Sequence, residues 1–313
     1  MKRWNAWRRK GDNVLTGIHF LLTYKCPYEC DHCFVYGSPR ARGTFTLEQI
    51  VAVLQQAQRL GSVQTVFFEG GEPFLYYPLL LEGVRVARKM GFNTGIVTNG
   101  YFATSPEDAI LWLEPLQDAG IGSISFSDDL FHSGSEEDTP AKRAMAAAQQ
   151  LGIPCGIISI APPTVTYREH SEGKKGEPIV GGGVRFRGRA VEKLTEGLPT
   201  RAWQRFTECP YENLRDPGRV HVDAYGNVHL CQGLCMGNLW KTPLSQLVKE
   251  YRAEEHPVCA PLVEGGPAEL ARRFGFPVQS GYVEACHLCY VVRRALRERF
   301  PEYLAPPQVY GDG

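Results

Sequence analysis

The chain has 313 residues, 43% of them hydrophobic, which is enough for one large domain or two modest ones with a sizeable core. Its formal net charge is zero, which removes the electrostatic case for binding nucleic acid or an anionic membrane surface. No stretch is long and apolar enough to span a bilayer, and the basic N-terminus lacks the apolar segment of a secretion signal, so we expect a cytoplasmic protein.

The first two thirds of the chain alternates predicted strands with predicted helices. Strands are predicted at residues 17–24, 65–68, 94–98, 122–127 and 153–161, and helices at 46–60, 78–90, 105–119 and 139–151. Thr46 and Gln49 form a capping box before the first helix, and Gly61 is its predicted C-terminal stop. Pro115 should kink the third helix or end it early.

This alternation predicts a parallel sheet with right-handed crossovers. A sixth strand near residues 184–187 would complete an α/β fold of the partial (β/α)6 barrel type. In such folds functional side chains lie at the C-terminal ends of the strands. Residues 162–183 are rich in proline, glycine and charge, and are predicted to form a long mobile loop.

The chain after about residue 198 has a different character and contains six of the ten cysteines. A hairpin is predicted at 219–230, turning at Tyr225-Gly226-Asn227, with helices at 242–251 and 291–300. We therefore divide the chain into a basic tail (1–16), a barrel (17–197) and a smaller cysteine-rich α+β domain (198–313).

Close cysteine pairs in a reducing compartment favour metal or cluster ligation over disulfides. Cys155, in an apolar run, is instead predicted to be a small core residue. Cys26, Cys30 and Cys33 follow the first strand with the spacing C-x3-C-x2-C. Three thiolates on one loop can hold three irons of a [4Fe–4S] cube and leave the fourth iron free for a ligand. The alternatives are three unrelated cysteines or zinc, although a structural zinc site needs four protein ligands.

This spacing after strand one resembles the radical SAM superfamily, whose members use S-adenosylmethionine (SAM). The resemblance extends over roughly residues 17–190, because Gly70 to Pro73 after strand two is similar to the family's GGEP motif and Thr98-Asn99-Gly100 ends strand three as in many members. His32 stands where the family usually has an aromatic residue near the adenine, which is a departure. The SAM contacts that the resemblance implies are His32, Gly70, Gly71, Glu72, Pro73, Asn99, Ser127 and Asp128.

In this family the cluster passes one electron to SAM, whose C–S bond breaks to give methionine and a 5′-deoxyadenosyl radical. That radical abstracts hydrogen from an unactivated carbon, while the protein orients the substrate and excludes competing reactions. The resemblance therefore implies an oxygen-sensitive enzyme reduced by a flavodoxin- or ferredoxin-type electron donor.

A second cysteine group has the spacing C-x16-G-x4-C from Cys209 to Cys231, followed far downstream by Cys286-x2-Cys289. This pattern resembles the twitch domain, a short relative of the SPASM domain, and implies an auxiliary [4Fe–4S] cluster on these four cysteines. Cys235 could replace one of the four. The alternative is a structural zinc site on Cys231, Cys235, Cys286 and Cys289.

An auxiliary cluster could accept the electron that completes a two-electron oxidation. The leading hypothesis is thus an oxidoreductase acting on a polar small molecule such as a sugar or cyclitol. The second is a peptide- or protein-modifying maturase, which the short segment before strand one disfavours, since maturases often carry an N-terminal leader-binding module. The third is a non-catalytic iron–sulfur or zinc scaffold, which would have no need of the motif at Gly70 to Pro73.

Completing the oxidation also requires a proton acceptor at the barrel mouth. The predicted catalytic candidates are Glu69, Asp129 and His132, with His170 as a further possibility. The alternatives are that Glu69 pairs with an arginine, that Asp129 and His132 cap the turn after strand four, and that His170 is solvated. A last pattern, arginines at 185, 187 and 189, predicts either an anion site or a solvated strand face.

Overall fold

A computed structural model describes residues 14–134, 137–167 and 178–312. The strands are β1 (Gly17–Thr23), β2 (Thr65–Gly70), β3 (Asn93–Thr98), β4 (Ser123–Ser127), β5 (Cys155–Ile158), β6 (Thr164–Tyr167), β7 (Pro178–Gly181), β8 (Arg201–Ala202), β9 (Arg219–Asp223), β10 (Asn227–Cys231), β11 (Leu234–Asn238) and β12 (Gly281–Tyr282). The helices are α1 (Leu47–Leu60), α2 (Tyr77–Lys89), α3 (Pro106–Asp118), α4 (Leu130–Ser133), α5 (Pro140–Gln150), α6 (Ala190–Lys193), α7 (Leu244–Glu250), α8 (Cys259–Arg273) and α9 (Ala285–Leu296), with 3-10 turns at Pro73–Tyr76, Trp203–Arg205 and Pro307–Tyr310.

The main sheet has the strand order β11-β10-β9-β1-β2-β3-β4-β5. Strands β1 to β5 are parallel, as predicted, and α/β character is confirmed. The predicted sixth strand at residues 184–187 is wrong, because that segment is irregular and the Phe186 N–H donates to a carboxylate oxygen of Glu284 (2.7 Å). Instead β9 supplies the sixth parallel strand, on the opposite edge of the sheet beside β1.

The sheet runs across the boundary that we placed at residue 198. Residues 17–21 of β1 pair with residues 219–223 of β9, which turns back into the antiparallel strands β10 and β11. The cysteine-rich region therefore extends the barrel sheet, and the division into domains stays a prediction.

The helix termini follow the sequence closely in the first half of the chain. The capping box of Thr46 and Gln49 is present, and Gly61 ends α1 in the left-handed conformation. Helix α3 continues through Pro115 to Asp118, so the proline does not end it early. Helix α9 begins six residues before its predicted start and contains Cys286 and Cys289, and α8 was not predicted.

The predicted loop at 162–183 is partly wrong. Its described ends pair as the antiparallel strands β6 and β7, and His170 lies outside the described residues. In the part of the chain that the structure describes, no helix has the length and apolar character needed to cross a membrane.

The two faces of the central strands differ in chemistry. Phe20 and Phe68 are fully buried, stack at 5.1 Å between ring centroids, and face the helix layer, where Gly83 of α2 lies against Phe68. Because side chains alternate along a strand, His19 and Glu69 project from the other face. That face, turned away from the helices, carries polar groups in the interior of the partial barrel.

Candidate active site

The first cysteine loop leaves the C-terminal end of β1. The Tyr28 N–H donates to the Cys26 sulfur (3.5 Å) and the Gly37 N–H to the Cys33 sulfur (3.2 Å). Burial raises the pKa of the Cys26 and Cys33 thiols, which favours the neutral thiol over the thiolate that a metal would bind. Backbone donors aimed at sulfur fit a bound group that carries negative charge.

Gly70 and Gly71 seat this loop on the end of β2. A Cβ at Gly70, where φ is +138°, would lie 2.3 Å from the Thr23 carbonyl oxygen, and one at Gly71 would lie 2.3 Å from the Lys25 oxygen. The Gly71 N–H donates to the Thr23 oxygen at 2.6 Å. Both glycines are therefore required for the close approach of the cysteine loop, and Pro73 opens the 3-10 turn behind them.

Glu72 ties the motif to the end of β3. One carboxylate oxygen accepts from the Phe74 N–H (3.0 Å) and the Thr98 hydroxyl (2.8 Å), and the other from the Asn99 N–H (2.8 Å). Burial raises the pKa of Glu72 to about 7. The Asn99 amide nitrogen lies 3.6 Å from the Cys26 sulfur, so the first three strand ends form one hydrogen-bonded unit.

Asp129 and His132 follow β4, just after Ser127 and Asp128, and interact with each other. Asp129 caps α4, and its Oδ1 lies 2.8 Å from His132 Nδ1 while its Oδ2 accepts from the Ile160 N–H. Burial opposes protonation of His132, but hydrogen bonds to Asp129 and Cys30 outweigh it and raise its pKa to about 10. Burial lowers the pKa of His32, whose ring packs at a tilt against Phe131, to about 4. Asp129 therefore caps the turn after β4, as the alternative to a catalytic role predicted, and His132 lies against the capping carboxylate.

A cluster that sequence reasoning missed joins His19 of β1, Glu69 of β2 and His221 of β9. Glu69 Oε1 lies 2.7 Å from His221 Nε2 and 3.4 Å from His19 Nδ1, so its partners are histidines and not an arginine. Burial would raise the pKa of Glu69, but His221 and His19 outweigh it and hold that pKa well below its usual range. Burial lowers the pKa of His221, so an ionised carboxylate faces a neutral imidazole. The sequence contained one signal for this cluster: His19 and His221 are each a single histidine at an inward-facing strand position between two apolar residues.

A cavity of about 450 Å³ adjoins this cluster at the N-terminal ends of the strands. Its lining includes His19 and Thr65 on the barrel side, and Tyr211, Glu212 and Leu230 from the cysteine-rich region. Tyr211 and Leu230 lie two residues or fewer from Cys209 and Cys231 in sequence. The cavity thus lies between the barrel interior and the second cysteine group.

Four cysteines of the C-terminal region are electrostatically coupled. Burial raises the pKa of Cys286, and of Cys289 to about 11, and proximity to Cys231 raises both further. Burial likewise raises the pKa of Cys209, with Cys231 contributing. Four partly buried thiols that are close enough to interact are a candidate donor set for one metal centre.

The two remaining cysteines of this region have other partners. The Cys235 sulfur lies 3.3 Å from the Ala305 carbonyl oxygen and 3.7 Å from His229 Nδ1. Cys259 is fully buried and forms a hydrogen bond with the Tyr251 side chain. Cys235 and Cys259 thus have partners outside the group of four, although Cys259 also lies near Cys231 and Cys289.

The spacing of the cysteine sulfurs bears on the choice between a zinc ion and a cluster. In the described ranges, no three cysteine sulfurs lie within 4.8 Å of one another. A tetrahedral zinc with Zn–S bonds of 2.3 Å holds its sulfurs about 3.8 Å apart. In a cubane cluster each thiolate ligates a different iron, so the sulfurs stand farther apart.

Comparison with known proteins concerns the part of the chain that contains the first cysteine loop. Residues 20–172 match the radical SAM superfamily. The chain carries a radical SAM domain. The match covers 153 of the 313 residues and supports the predicted enzyme family, which implies a [4Fe–4S] cluster and SAM.

The curated relatives resemble only part of this chain. PqqA peptide cyclase of Gluconobacter oxydans is 34% identical over 159 residues, which are 48% of this chain and 40% of that protein. The tungsten-containing aldehyde ferredoxin oxidoreductase cofactor-modifying protein of Pyrococcus furiosus is 27% identical over 114 residues, 36% of this chain and 30% of that protein. The chain spans less than half the length of these relatives.

Among solved structures, BtrN in complex with AdoMet and 2-DOIA is similar to this chain. The match has a TM-score of 0.49 and 16% sequence identity, and covers 80% of this chain and 93% of that chain.

Residues 187–189 connect the radical SAM domain to the second cysteine group. Arg189 donates to the carbonyl oxygens of Cys30 (2.8 Å) and Gly37 (2.9 Å), and Arg187 donates to the Cys231 sulfur (3.0 Å). A Cβ at Gly188, between them, would lie 2.5 Å from the carbonyl oxygen of Cys33. Neither arginine lies on a solvated strand face, since both are buried against the cysteine segments.

Proposed function

We propose that this protein is a radical SAM oxidoreductase that oxidises a polar small molecule by two electrons. One observation carries the proposal: a proton-accepting pair and the second cysteine group are neighbours. His221 Nε2 lies 2.7 Å from Glu69 and 3.4 Å from the amide nitrogen of Gln232, the residue that follows Cys231. A site that removes an electron and a proton from one substrate needs both acceptors close together.

When bound, SAM and its cluster supply a 5′-deoxyadenosyl radical, which takes one hydrogen atom from a substrate carbon and leaves as 5′-deoxyadenosine. The substrate radical must then lose one electron and one proton to become a closed-shell product. The electron leaves toward Cys209, Cys231, Cys286 and Cys289, which would hold an auxiliary [4Fe–4S] cluster. The proton leaves to Glu69 and His221, which together take up one proton as an imidazolium–carboxylate pair.

We assign the proton to this pair in preference to Asp129 and His132. The carboxylate of Asp129 already accepts from the N–H groups of Phe131 and Ile160 and contacts His132. His132 is engaged with the cluster ligand Cys30. Asp129 and His132 therefore position the first cysteine loop.

The SAM site would be formed at the C-terminal strand ends, beside Cys26, Cys30 and Cys33. Glu72 accepts three hydrogen bonds from the protein, so its part is to fix these strand ends around the methionine group. The residues proposed to line the site are His32, Gly70, Gly71, Glu72, Pro73, Asn99, Ser127 and Asp128. A flavodoxin- or ferredoxin-type donor would deliver the electron to this side of the protein.

The small-substrate proposal rests on the closeness of Glu69 and His221 to the second cysteine group, and the cavity of about 450 Å³ at the opposite, N-terminal ends of the strands is not assigned to the substrate. The experiment supplies polyols deuterated at their carbinol carbons to the anaerobically reconstituted protein. Deuterium in 5′-deoxyadenosine together with a carbonyl product would support the proposal. A total absence of 5′-deoxyadenosine would instead support a non-catalytic scaffold.

The second candidate, a peptide-modifying maturase, is favoured by the free edge of the sheet. Among the described residues β5 pairs only with β4, and its Ile157 and Ile158 are 40% and 38% exposed. An extended peptide could add to this edge as a further strand. The similarity to PqqA peptide cyclase agrees with that possibility. Deuterium transfer from a labelled peptide, and from none of the polyols, would select this candidate.

A further inference from the structure

Two buried arginines lie beside the second cysteine group. Arg187 is 9% exposed, and its Nη1 lies 3.0 Å from the Cys231 sulfur. Arg293 is 2% exposed, lies one helical turn after Cys289 on α9, and donates to the carbonyl oxygen of Gln232 at 3.0 Å. Burying a guanidinium group costs several kcal/mol unless it meets compensating charge.

The protein alone does not supply that charge in full. Glu212 lies 3.6 Å from Arg187, but within the described ranges Arg293 forms no ion pair with a carboxylate. Burial would lower the pKa of Arg293, but Tyr310 and the cysteines, Cys289 foremost, outweigh it and raise that pKa well above its usual value. The Nε atoms of both arginines are buried and make no hydrogen bond with described residues.

Both guanidinium groups therefore have an unused Nε donor at the place where four thiolates would meet, and Arg293 has no carboxylate partner among the described residues. The first cysteine loop is different. Arg189 donates there to the carbonyl oxygens of Cys30 and Gly37, the Asn99 amide approaches the Cys26 sulfur, and the side chain hydrogen-bonded to Cys30 is His132 and not an arginine.

We infer that Arg187 and Arg293 donate hydrogen bonds to the sulfur atoms of the auxiliary cluster and raise its reduction potential. Reduction adds one negative charge, which nearby cations and N–H donors stabilise more than they stabilise the oxidised state. The two arginines thus make the cysteine group at 209, 231, 286 and 289 an electron acceptor. This inference rests on the proposed function, since it requires a cluster at that position.

The test isolates the auxiliary cluster by replacing Cys26, Cys30 and Cys33 with alanine. In this background, anaerobically reconstituted Arg187→Gln and Arg293→Gln variants are titrated potentiometrically and followed by electron paramagnetic resonance. Each substitution should shift the reduction equilibrium at least tenfold toward the oxidised state, about 59 mV for a one-electron couple, with about four irons per chain retained. The matched control is Arg294→Gln, because Arg294 is the next residue but pairs with Glu192 and Asp312 at the surface.

The outcomes separate the inference from the proposed function. Absence of iron from the background and from every variant would remove the auxiliary cluster, and the proposed function with it. Iron that is retained, with potentials equal to that of Arg294→Gln, would overturn the inference alone. If a glutamine variant loses its iron, the methionine variant at the same position, which also removes the charge and the N–H donors, decides. Retained iron with a lower potential supports the inference, and loss from both variants would assign that arginine to folding and overturn it.

Discussion

The two cysteine regions are built in opposite ways. Cys26, Cys30 and Cys33 lie on one loop of eight residues, held by backbone hydrogen bonds to the end of β2. The other four come from three separate places, a loop at 209, the end of β10 at 231 and helix α9. A contiguous loop is set by local geometry, whereas a dispersed group exists only once the tertiary fold has formed.

The largest effect should come from removing the first loop's thiols. In a Cys26→Ala, Cys30→Ala, Cys33→Ala chain we expect no 5′-deoxyadenosine, and iron should fall from about eight to about four per chain. Iron, sulfide and zinc are counted after anaerobic reconstitution. The matched variant replaces Cys209, Cys231, Cys286 and Cys289, and should still cleave SAM without forming product. Loss of all iron from the first variant, with about one zinc retained, would show that the second group is structural.

The next largest effect concerns the proton acceptor. Glu69→Gln should reduce product formation by roughly 10²–10⁴-fold and leave SAM cleavage running uncoupled. Asp129→Asn is the comparison variant, and it should slow SAM cleavage itself, because Asp129 holds His132 beside Cys30. Equal loss of both reactions in Glu69→Gln would contradict the assignment.

The same pair predicts a pH dependence. The pKa of His221 is lowered from 6.5 by burial, so its imidazole stays neutral as pH falls through 6.5. The rate of product formation per 5′-deoxyadenosine released should therefore hold at pH 6.5 and fall only below it. A decline centred at 6.5 or above would place the proton acceptor elsewhere.

A smaller effect tests how the first loop is seated. Gly71→Ala puts a Cβ 2.3 Å from the Lys25 carbonyl oxygen, so backbone must move, and we expect a loss of about 1–3 kcal/mol in unfolding free energy. Iron at the first site should fall as well. Gly156→Ala on β5 is the control, because a Cβ there meets nothing within 4 Å. Equal behaviour of the two variants in a denaturant titration would show that Gly71 is not needed for close approach.

The contrast between the regions also explains what the sequence could predict. Alternating strands and helices with clear caps located β1 to β5 and helices α1 to α3 to within a few residues, because these signals are local. The pairing of β9 with β1 joins residues 202 positions apart, and no local pattern contains it. The strand predicted at 184–187 is wrong because the alternation of its arginines does not reflect sheet pairing. Arg185 contacts Glu212, near Cys209, and Arg187 contacts Cys231.

The site shows the same division. The first three cysteines lie in one short segment, and the motif from Gly70 to Pro73 lies in another. Each could therefore be recognised from the sequence alone. His19 and His221 each stand alone in an apolar strand, and only the register of β1 with β9 places them side by side. The burial of Arg187 and Arg293 likewise results from tertiary packing, which cannot be predicted from the amino-acid composition.

The smallest predicted effect concerns His256, whose ring joins β11 to the start of α8 by hydrogen bonds; we call these hydrogen bonds the brace. His256 Nε2 donates to the Cys235 carbonyl oxygen (2.9 Å), and its Nδ1 accepts from the N–H groups of Val258 and Cys259. This pattern needs the neutral imidazole, and burial lowers its pKa below 6.5. His256→Gln should cost about 1 kcal/mol at pH 7.5, seen as a fall of about 2 °C in the thermal midpoint of the reconstituted protein.

The sign of its pH dependence follows from linkage. Above pH 6.5 the unfolded chain also carries a neutral His256, so the stabilisation by the brace is fully present. As pH falls from 6.5 toward the lower folded-state pKa, the unfolded chain takes up a proton that the folded chain refuses, and this stability is lost. The difference in thermal midpoint between the wild type and His256→Gln should therefore shrink from pH 7.5 to pH 5.5. A difference that grows over that interval would mean that His256 is protonated in the folded protein, and that the hairpin and α8 are joined by a charge instead of by a neutral ring.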